Sequence, residues 1–349
     1  VTTPRLRTRR LDLRAGLVDL SHGAGGRAST QLIDEIFRAA FDNPWLDQAD
    51  DQAAFDVPAG RMVMSMDGYV ITPLFFPGGD IGSLAVHGTI NDLAMAGAQP
   101  LHLAAGYIIE EGFPIRDLAQ IARSMANAAR DAGVAIVTGD TKVVERGKGD
   151  GVFITTTGIG CVPPGLHLSA NLARPGDLVI LSGSLGDHGV AVMSKRNNLG
   201  FETDILSDSA ALHGLVADMV RAAGGGIRVM RDPTRGGLAA ALNEIAQQSA
   251  VGFMIDEARI PIRPEVAAAC ELLGLDPLYV ANEGKLVAIV APQAAAAIVT
   301  AMRAHPLGRD AILIGQVMED DFCFVQMTTS FGGGRIVDWL AGEQLPRIC

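Results

Sequence analysis

The chain has 349 residues, enough for two domains with a sizeable core, because domains cluster near ~100–150 residues. Apolar residues make up 48% and glycine occupies 41 positions, which excludes a disordered chain and points to close-packed α/β layers. A formal charge of -11 excludes an extended nucleic-acid-binding face.

Residues 1–17 carry Arg5, Arg7, Arg9, Arg10 and Arg14. No apolar signal region follows them, so they are expected to be a flexible basic extension. Residues 27–41 place Leu32, Ile33, Ile36, Phe37 and Ala40 on one helical face. Strands are expected at 61–66 and 68–72, on either side of Asp67. A helix over 80–97 and a strand over 101–109 come next, followed by a helix over 115–132. Gly133 closes that helix before a buried-type strand at 134–138. The β-branched run 152–159 reads as a strand.

Turn formers at 161–165 and 174–177 mark the domain boundary. The resulting division is an N-terminal domain over 18–165, a C-terminal α/β domain over 170–338, and a flexible tail over 339–349. The second domain opens with a strand at 178–182. Its helices are expected near 187–196, 208–223, 235–249, 264–274 and 293–304. The most apolar stretch, 286–302, is broken by Pro292 and Gln293 and reads as strand then helix, so no membrane span is expected.

Four clusters carry chemistry in the first domain. Ser21-His-Gly-Ala-Gly-Gly26 precedes a helix, and its Gly25 and Gly26 would let backbone N–H groups approach an anion. Alone it reads first as a plain turn. Asp67-Gly68 lies between strands, and Asn91-Asp92 lies in a helix, where short polar residues are more often surface than ligand. Gly139-Asp140-Thr141-Lys142 follows a strand end, a common ligand position in α/β folds. Each is more readily structural than functional. Together they supply three carboxylates, a lysine and a glycine turn, which is the kit for Mg-nucleotide if they converge.

The second domain adds Ser182-Gly-Ser-Leu-Gly-Asp-His-Gly189, Arg231-Asp-Pro-Thr-Arg-Gly-Gly237 and Ala281-Asn-Glu-Gly-Lys285. Asp187 and His188 suit a metal or acid–base pair or a hydrogen-bonded turn histidine, and without a second spaced histidine no metal site is signalled there. The Asp232 turn looks like another anion cradle, and Glu283 with Lys285 sits just before a strand.

Four cysteines, Cys161, Cys270, Cys323 and Cys349, are far apart with no CxxC, so neither a zinc knuckle nor a redox pair is signalled. Reduced thiols and a cytoplasmic location are the simpler expectation. The first three fall in or beside apolar segments and are expected to be inert. Cys349 is the final residue, where a thiol contributes little packing; it is expected to be either an incidental surface thiol or chance crosslink, or a nucleophile on a mobile arm.

At these residues the chain resembles the HypE family, the carbamoyl dehydratases of nickel–iron hydrogenase maturation. The likeness runs from about Leu20 to Cys349. Its most specific pieces are Pro73-Leu-Phe-Phe-Pro-Gly-Gly79, Val137-Thr-Gly-Asp-Thr-Lys-Val-Val-Glu-Arg146, Arg231-Asp-Pro-Thr-Arg-Gly-Gly237, Ala281-Asn-Glu-Gly-Lys285 and Leu345-Pro-Arg-Ile-Cys349. The resemblance implies a two-domain, α/β (α+β), aminoimidazole ribonucleotide synthetase-like fold. Its N-terminal sheet would pair across a homodimer, and its tail would be mobile.

The resemblance further implies ATP with Mg²⁺ held by Asp67, Asp92 and Asp140. Gly25, Gly26, Asn91, Gly139, Thr141 and Lys142 would complete the nucleotide site. Cys349 would receive a carboxamide from a HypF-type carbamoyltransferase. Transfer of the γ-phosphoryl to the carboxamide oxygen, then loss of phosphate, would leave S–C≡N. Its cyanide would pass to iron on HypC- and HypD-type proteins. Lys142 and Glu283 would act at the carboxamide. An arm from Gly342 to Cys349 would reach roughly 25–29 Å at about 3.3–3.6 Å per residue.

Two departures stand out: Met66-Asp-Gly-Tyr69 replaces an expected Thr-Asp-Ser-Tyr run, and His87 replaces a cysteine found in some members. The lost hydroxyls are expected to alter hydrogen bonds around Asp67. Two rivals remain. A sister synthetase acting on a diffusible amide would not need Cys349, and a non-enzymatic thiol carrier would not turn over ATP. Selenophosphate synthetases commonly carry a reactive residue in the glycine loop, and Ser21–Gly26 has none.

Overall fold

The computed structural model describes residues 10–48, 52–199, 205–223, 225–340 and 345–349. Two sheets organise it. The first contains β1 (Arg61–Tyr69), β4 (Gln99–Glu110), β5 (Ala135–Val144) and β6 (Val152–Val162), in the order β1-β6-β4-β5. A short ribbon, β2 (Phe75–Phe76) with β3 (Gly79–Asp80), lies between β1 and the first long helix. Only the β4–β5 pair of the four-stranded sheet is parallel.

One face of this sheet is covered by the helices Ile81–Met95 and Ile115–Asp131. Asp80 caps the first, accepting from the N–H groups of Gly82 and Ser83 at 2.8 and 3.0 Å. That helix is buried on nearly all sides, which matches its apolar composition. The other face is open: Met64 is 72% exposed, Met66 67% and Ile108 45%.

The second sheet has seven strands, in the order β13-β12-β9-β11-β7-β10-β8. These are β7 (Leu178–Leu181), β8 (Ile227–Arg231), β9 (Gly252–Asp256), β10 (Val287–Val290), β11 (Ile312–Met318), β12 (Val325–Thr328) and β13 (Gly334–Ile336). Helices His213–Ala223 and Pro292–Ala304 bury Leu215, Met219, Ile298 and Met302 against Ile180 and Ala288 on one face. Helix Gly237–Ser249 buries Leu238, Leu242 and Ile245 against Val179, Val287 and Ile289 on the other. Coverage on both faces explains why every residue of β10 is apolar and buried.

Several expected boundaries move. Residues 61–69 form one strand with Asp67 inside it, because β1 pairs with β6 without interruption. Residues 139–144 continue the strand begun at 135 instead of turning, since each pairs in register with β4. Gly139 permits this, as a Cβ there would lie 2.3 Å from the Ala105 carbonyl oxygen. The helix expected from 208 begins at His213. Residues 27–41 are helical throughout, with a π-helical turn at Ile33–Arg38.

Both chain ends differ from expectation where they are described. In the basic extension, the Leu11 N–H donates to Glu35 Oε2 at 2.9 Å, and Leu17 bridges to Pro114. Arg5, Arg7 and Arg9 lie outside the described residues, as do residues 341–344 of the tail. Residues 345–349 are docked, with Ile348 only 2% exposed in the first core. No helix among the described residues is long and apolar enough to cross a membrane.

Candidate active site

The tail enters beside the end of β1. Arg347 and Cys349 accept hydrogen bonds through their carbonyl oxygens from the N–H groups of Thr72 and Val70, at 3.3 and 3.2 Å. This is a short antiparallel ladder. The Arg347 side chain pairs with Asp150, so it does not sit over the thiol. Burial, with Glu283 next and Asp67 and Asp232 adding to it, pushes the Cys349 thiol up to about 12, against the opposing charge of Arg235. Burial outweighs the charge of Arg235.

The carboxylates around the thiol come from three elements. Asp67 and Ser65 on β1 face the helix Ile81–Met95. Thr89 on that helix donates to Asp67 Oδ2 at 3.2 Å, and Ser65 Oγ donates to Asp92 Oδ2 at 2.5 Å. Burial, then the charge of Asp92, raises Asp67 to about 6. Asp232 opens the turn before helix Gly237–Ser249, where Gly236 and Gly237 take φ of +78° and +62°, which only glycine adopts freely. Burial, then Asp92, raises Asp232 to about 7.

Glu283 precedes β10 and is 3% exposed. Its Oε1 has no hydrogen-bond partner among the described residues. Burial and the neighbouring Asp232 and Asp208 push its carboxyl well above the ordinary range. Its backbone is fixed on both sides: the N–H donates to Asp208 Oδ1 at 3.1 Å, and the carbonyl accepts from Asn91 Nδ2 at 3.1 Å. Asp208 in turn pairs with Lys285 at 3.0 Å. Asn91 is therefore a buried clamp between the two sheets, spent entirely on backbone partners.

Asp140 and Lys142 lie elsewhere. On β5 they pair in register with Gly106 and Ile108, so with Ile108 they face the open side of the sheet. Asp67 faces the helix side from the opposite edge, three strand spacings away, or about 14 Å. Lys142 Nζ binds both oxygens of Asp140 at 2.7 and 2.6 Å, and this pairing holds Asp140 below the usual carboxylate range.

The proposed trio of metal ligands is therefore not brought together in one protomer, and Lys142 does not approach Cys349 there. Around Asp140, the glycine turn and β5 wall a cavity of about 230 Å³. It is lined by His22, Gly25, Phe37, Tyr107, Thr141 and Lys142, among others. Gly25 takes a φ of +78° and its N–H bonds Ser29 Oγ at 2.9 Å, while Gly26 caps the helix that follows.

The remaining expectations resolve as follows. Met66 and Gly68 point to the open face, so hydroxyls there would face away from the Asp67 carboxylate. His87 bonds Ser209 Oγ at 2.9 Å, and burial lowers its pKa to about 4. His188 is wholly buried on a helix, and Asp187 pairs with Arg263. Cys161 and Cys270 are buried, and burial raises Cys270 to about 11. Cys323 is only half-buried, in a turn with φ +57°. Sequence reasoning named the Asp232 turn but not Asp232 as a site residue. Its one signal was an acid beside a helix-opening glycine pair.

Hard oxygen donors dominate this cluster. Among the described residues Arg235 acts on Asp67 and Arg231 on Asp232, but Arg231 is already paired with Glu244, as Lys285 is with Asp208. An excess of desolvated carboxylate suits a cation, but among the described residues no three His, Cys, Asp or Glu side chains come together as a metal site, so a Mg²⁺ here would take its remaining oxygen ligands from a bound nucleotide.

Comparison with known proteins places this geometry. Residues 49–162 match the N-terminal domain of AIR synthase related proteins, and residues 174–327 match their C-terminal domain. The carbamoyl dehydratase HypE of Rhizobium leguminosarum bv. viciae is 72% identical over 341 residues, 98% of this chain and 97% of that protein. A crystal structure of the hydrogenase maturation protein HypE in complex with ATP superposes with a TM-score of 0.91 at 48% identity, covering 95% of this chain and 99% of the other. HypE in a HypE–HypF complex aligns with a TM-score of 0.78 at 48% identity, covering 88% and 99%. The chain belongs to the carbamoyl dehydratase HypE family.

Proposed function

We propose that the protein dehydrates a carbamoyl group carried on Cys349 to a thiocyanate, using ATP, and so supplies cyanide for a hydrogenase iron centre. The observation that supports this is the docked tail, whose Cys349 thiol lies within reach of the charge of buried Glu283, a carboxylate whose Oε1 has no hydrogen-bond partner among the described residues. A carboxamide on Cys349 presents an N–H₂ donor that the unpartnered Glu283 Oε1 would accept. Phosphoryl transfer to the carboxamide oxygen gives S–C(OPO₃)=NH and ADP, with Glu283 taking one N–H proton. The nitrogen then gives its second proton to the departing phosphate as the C–O bond breaks, leaving S–C≡N and hydrogen phosphate.

Asp67 and Asp92 would help hold a Mg²⁺ that arrives with the ATP phosphates, where it would neutralise phosphate charge during transfer. The glycine turn, Gly139, Asp140, Thr141 and Lys142 would bind nucleotide at the β5 edge of the sheet, where the cavity lies. In this reading the two half-sites meet across a homodimer formed by the open faces. The exposed Met64, Met66 and Ile108 support such pairing, since an apolar sheet face is costly to leave in water. Cys349 would be loaded by a HypF-type carbamoyltransferase, and its cyanide handed to HypC- and HypD-type iron scaffolds. The division of labour is an N-terminal nucleotide and dimer domain, a C-terminal domain supplying Asp232 and Glu283, and the carrier tail.

The test is Cys349→Ala. Nucleotide binding should persist while ATP hydrolysis that depends on carbamoyl loading disappears. Loading-dependent hydrolysis at the wild-type rate would remove Cys349 from the chemistry.

A further inference from the structure

The contacts that seat the tail are mostly of one kind: every carbonyl oxygen from Pro346 to Cys349 accepts a hydrogen bond. Arg196 donates from Nη1 to the Pro346 carbonyl and from Nη2 to the Arg347 carbonyl, both at 2.7 Å. Its Nε–H goes to the Thr72 carbonyl at 2.8 Å. The guanidinium is thereby braced on the same segment whose N–H groups pair with the tail. His188 Nε2 lies 2.9 Å from the Ile348 carbonyl oxygen. A carbonyl only accepts, so Nε2 carries the proton, and in the neutral ring Nδ1 accepts the Ser207 hydroxyl at 2.8 Å. Ser207 is itself fixed, its N–H donating to the Pro77 carbonyl at 2.8 Å. Ile348 fills the core beneath, and Arg347 pairs with Asp150.

These contacts read backbone, Ile348 and Arg347; none of them uses the thiol. We propose that Arg196 and His188 are positioning residues for the dehydration, seating the tail by its carbonyls so that the Cys349 sulfur lies at Glu283 whether or not it carries a carbamoyl group. The proposal rests on Cys349 being the carrier. It has a consequence that a purely structural role lacks. Loading by an outside enzyme needs the arm released, and dehydration needs it seated. A weaker latch should therefore speed the first and slow the second, whereas damage to the fold would slow both.

The experiment uses full-length Arg196→Ala, His188→Ala and His188→Gln. N-ethylmaleimide labelling of Cys349 is followed by the mass of the C-terminal peptide, with buried Cys161 and Cys270 as reference thiols. In parallel, tails preloaded by the carbamoyltransferase are given ATP and single-turnover loss of water is timed. In Arg196→Ala, Cys349 labelling should rise and dehydration should fall, each by at least about tenfold, or ~1.4 kcal/mol of seating. Cys161 and Cys270 should stay protected. His188→Gln, which keeps an N–H donor, should lie closer to wild type than His188→Ala. Unchanged labelling, wild-type dehydration despite faster labelling, or equal exposure of the reference thiols in both alanine variants would overturn the proposal. If the loaded wild-type protein loses no water, the carrier reading fails with it, and labelling alone then reports whether the two side chains seat the tail.

Discussion

Asp232→Asn tests the buried acid cluster by stability as well as activity. In the folded protein burial and Asp92 raise this carboxyl from 3.8 to about 7. Three units at 1.36 kcal/mol each give a burden of up to about 4 kcal/mol on the ionised form, lessened by the partial exposure of the side chain. The sign follows from the raised pKa. Protonated Asp232 is the form the fold favours, so its contribution is fully present below pH 3.8 and is lost as pH rises through 7. Asparagine carries no charge to bury. The variant should therefore be more stable than wild type at pH 8, with a gap that closes as pH falls from 7 towards 4. Urea denaturation at a series of pH values measures this gap. Added MgCl₂ should narrow it at pH 8 by stabilising wild type more than the variant, because a cation relieves the repulsion that asparagine has already removed. A variant less stable than wild type at pH 8, or a gap that ignores pH, would refute the account of the cluster.

Other outcomes follow from the same geometry. Glu283→Gln should slow ATP-driven dehydration of a preloaded tail by about 10²–10⁴-fold, the usual loss of a positioned base, while carbamoyl loading continues. A wild-type rate would remove Glu283 from proton transfer. Asp67→Asn and Lys142→Ala should each be inactive as homodimers, yet recover activity when the two chains are mixed, because one composite site in each hybrid dimer keeps both native residues. No recovery in mixtures shown to contain hybrids would put the two residues in separate roles.

Much of the fold was legible because its signals were local. The helices at 115–132 and 187–196, and the strand-then-helix at 286–302, all appear within a residue or two of their expected bounds. The misreadings have physical causes. Gly139-Asp140 carries turn residues, but parallel pairing with β4 overrides them and keeps the strand straight through Lys142. Asp67, Asp92 and Asp140 were each identifiable as unusual acids, but strand parity and sheet order decide which can meet, and neither is visible from spacing along the chain. Asn91 looked like a helix-surface residue because nothing local reveals that a second domain closes over it. Asp232 was hidden by its proline, which made it read as a turn. The tail stood out in the sequence by its thiol. Its docking depends on Arg196 and His188, more than 150 residues away, and no local pattern connects them.

The central claim is that Cys349 carries the group that is dehydrated. It is tested most directly by the mass of the C-terminal peptide before and after ATP. After incubation with the carbamoyltransferase, that peptide should gain one carbamoyl group. On addition of ATP and magnesium it should lose one water, while peptides bearing Cys161, Cys270 and Cys323 stay unchanged. Carbamoylation of another cysteine, or a loaded Cys349 that keeps its water when ATP is consumed, would contradict the mechanism.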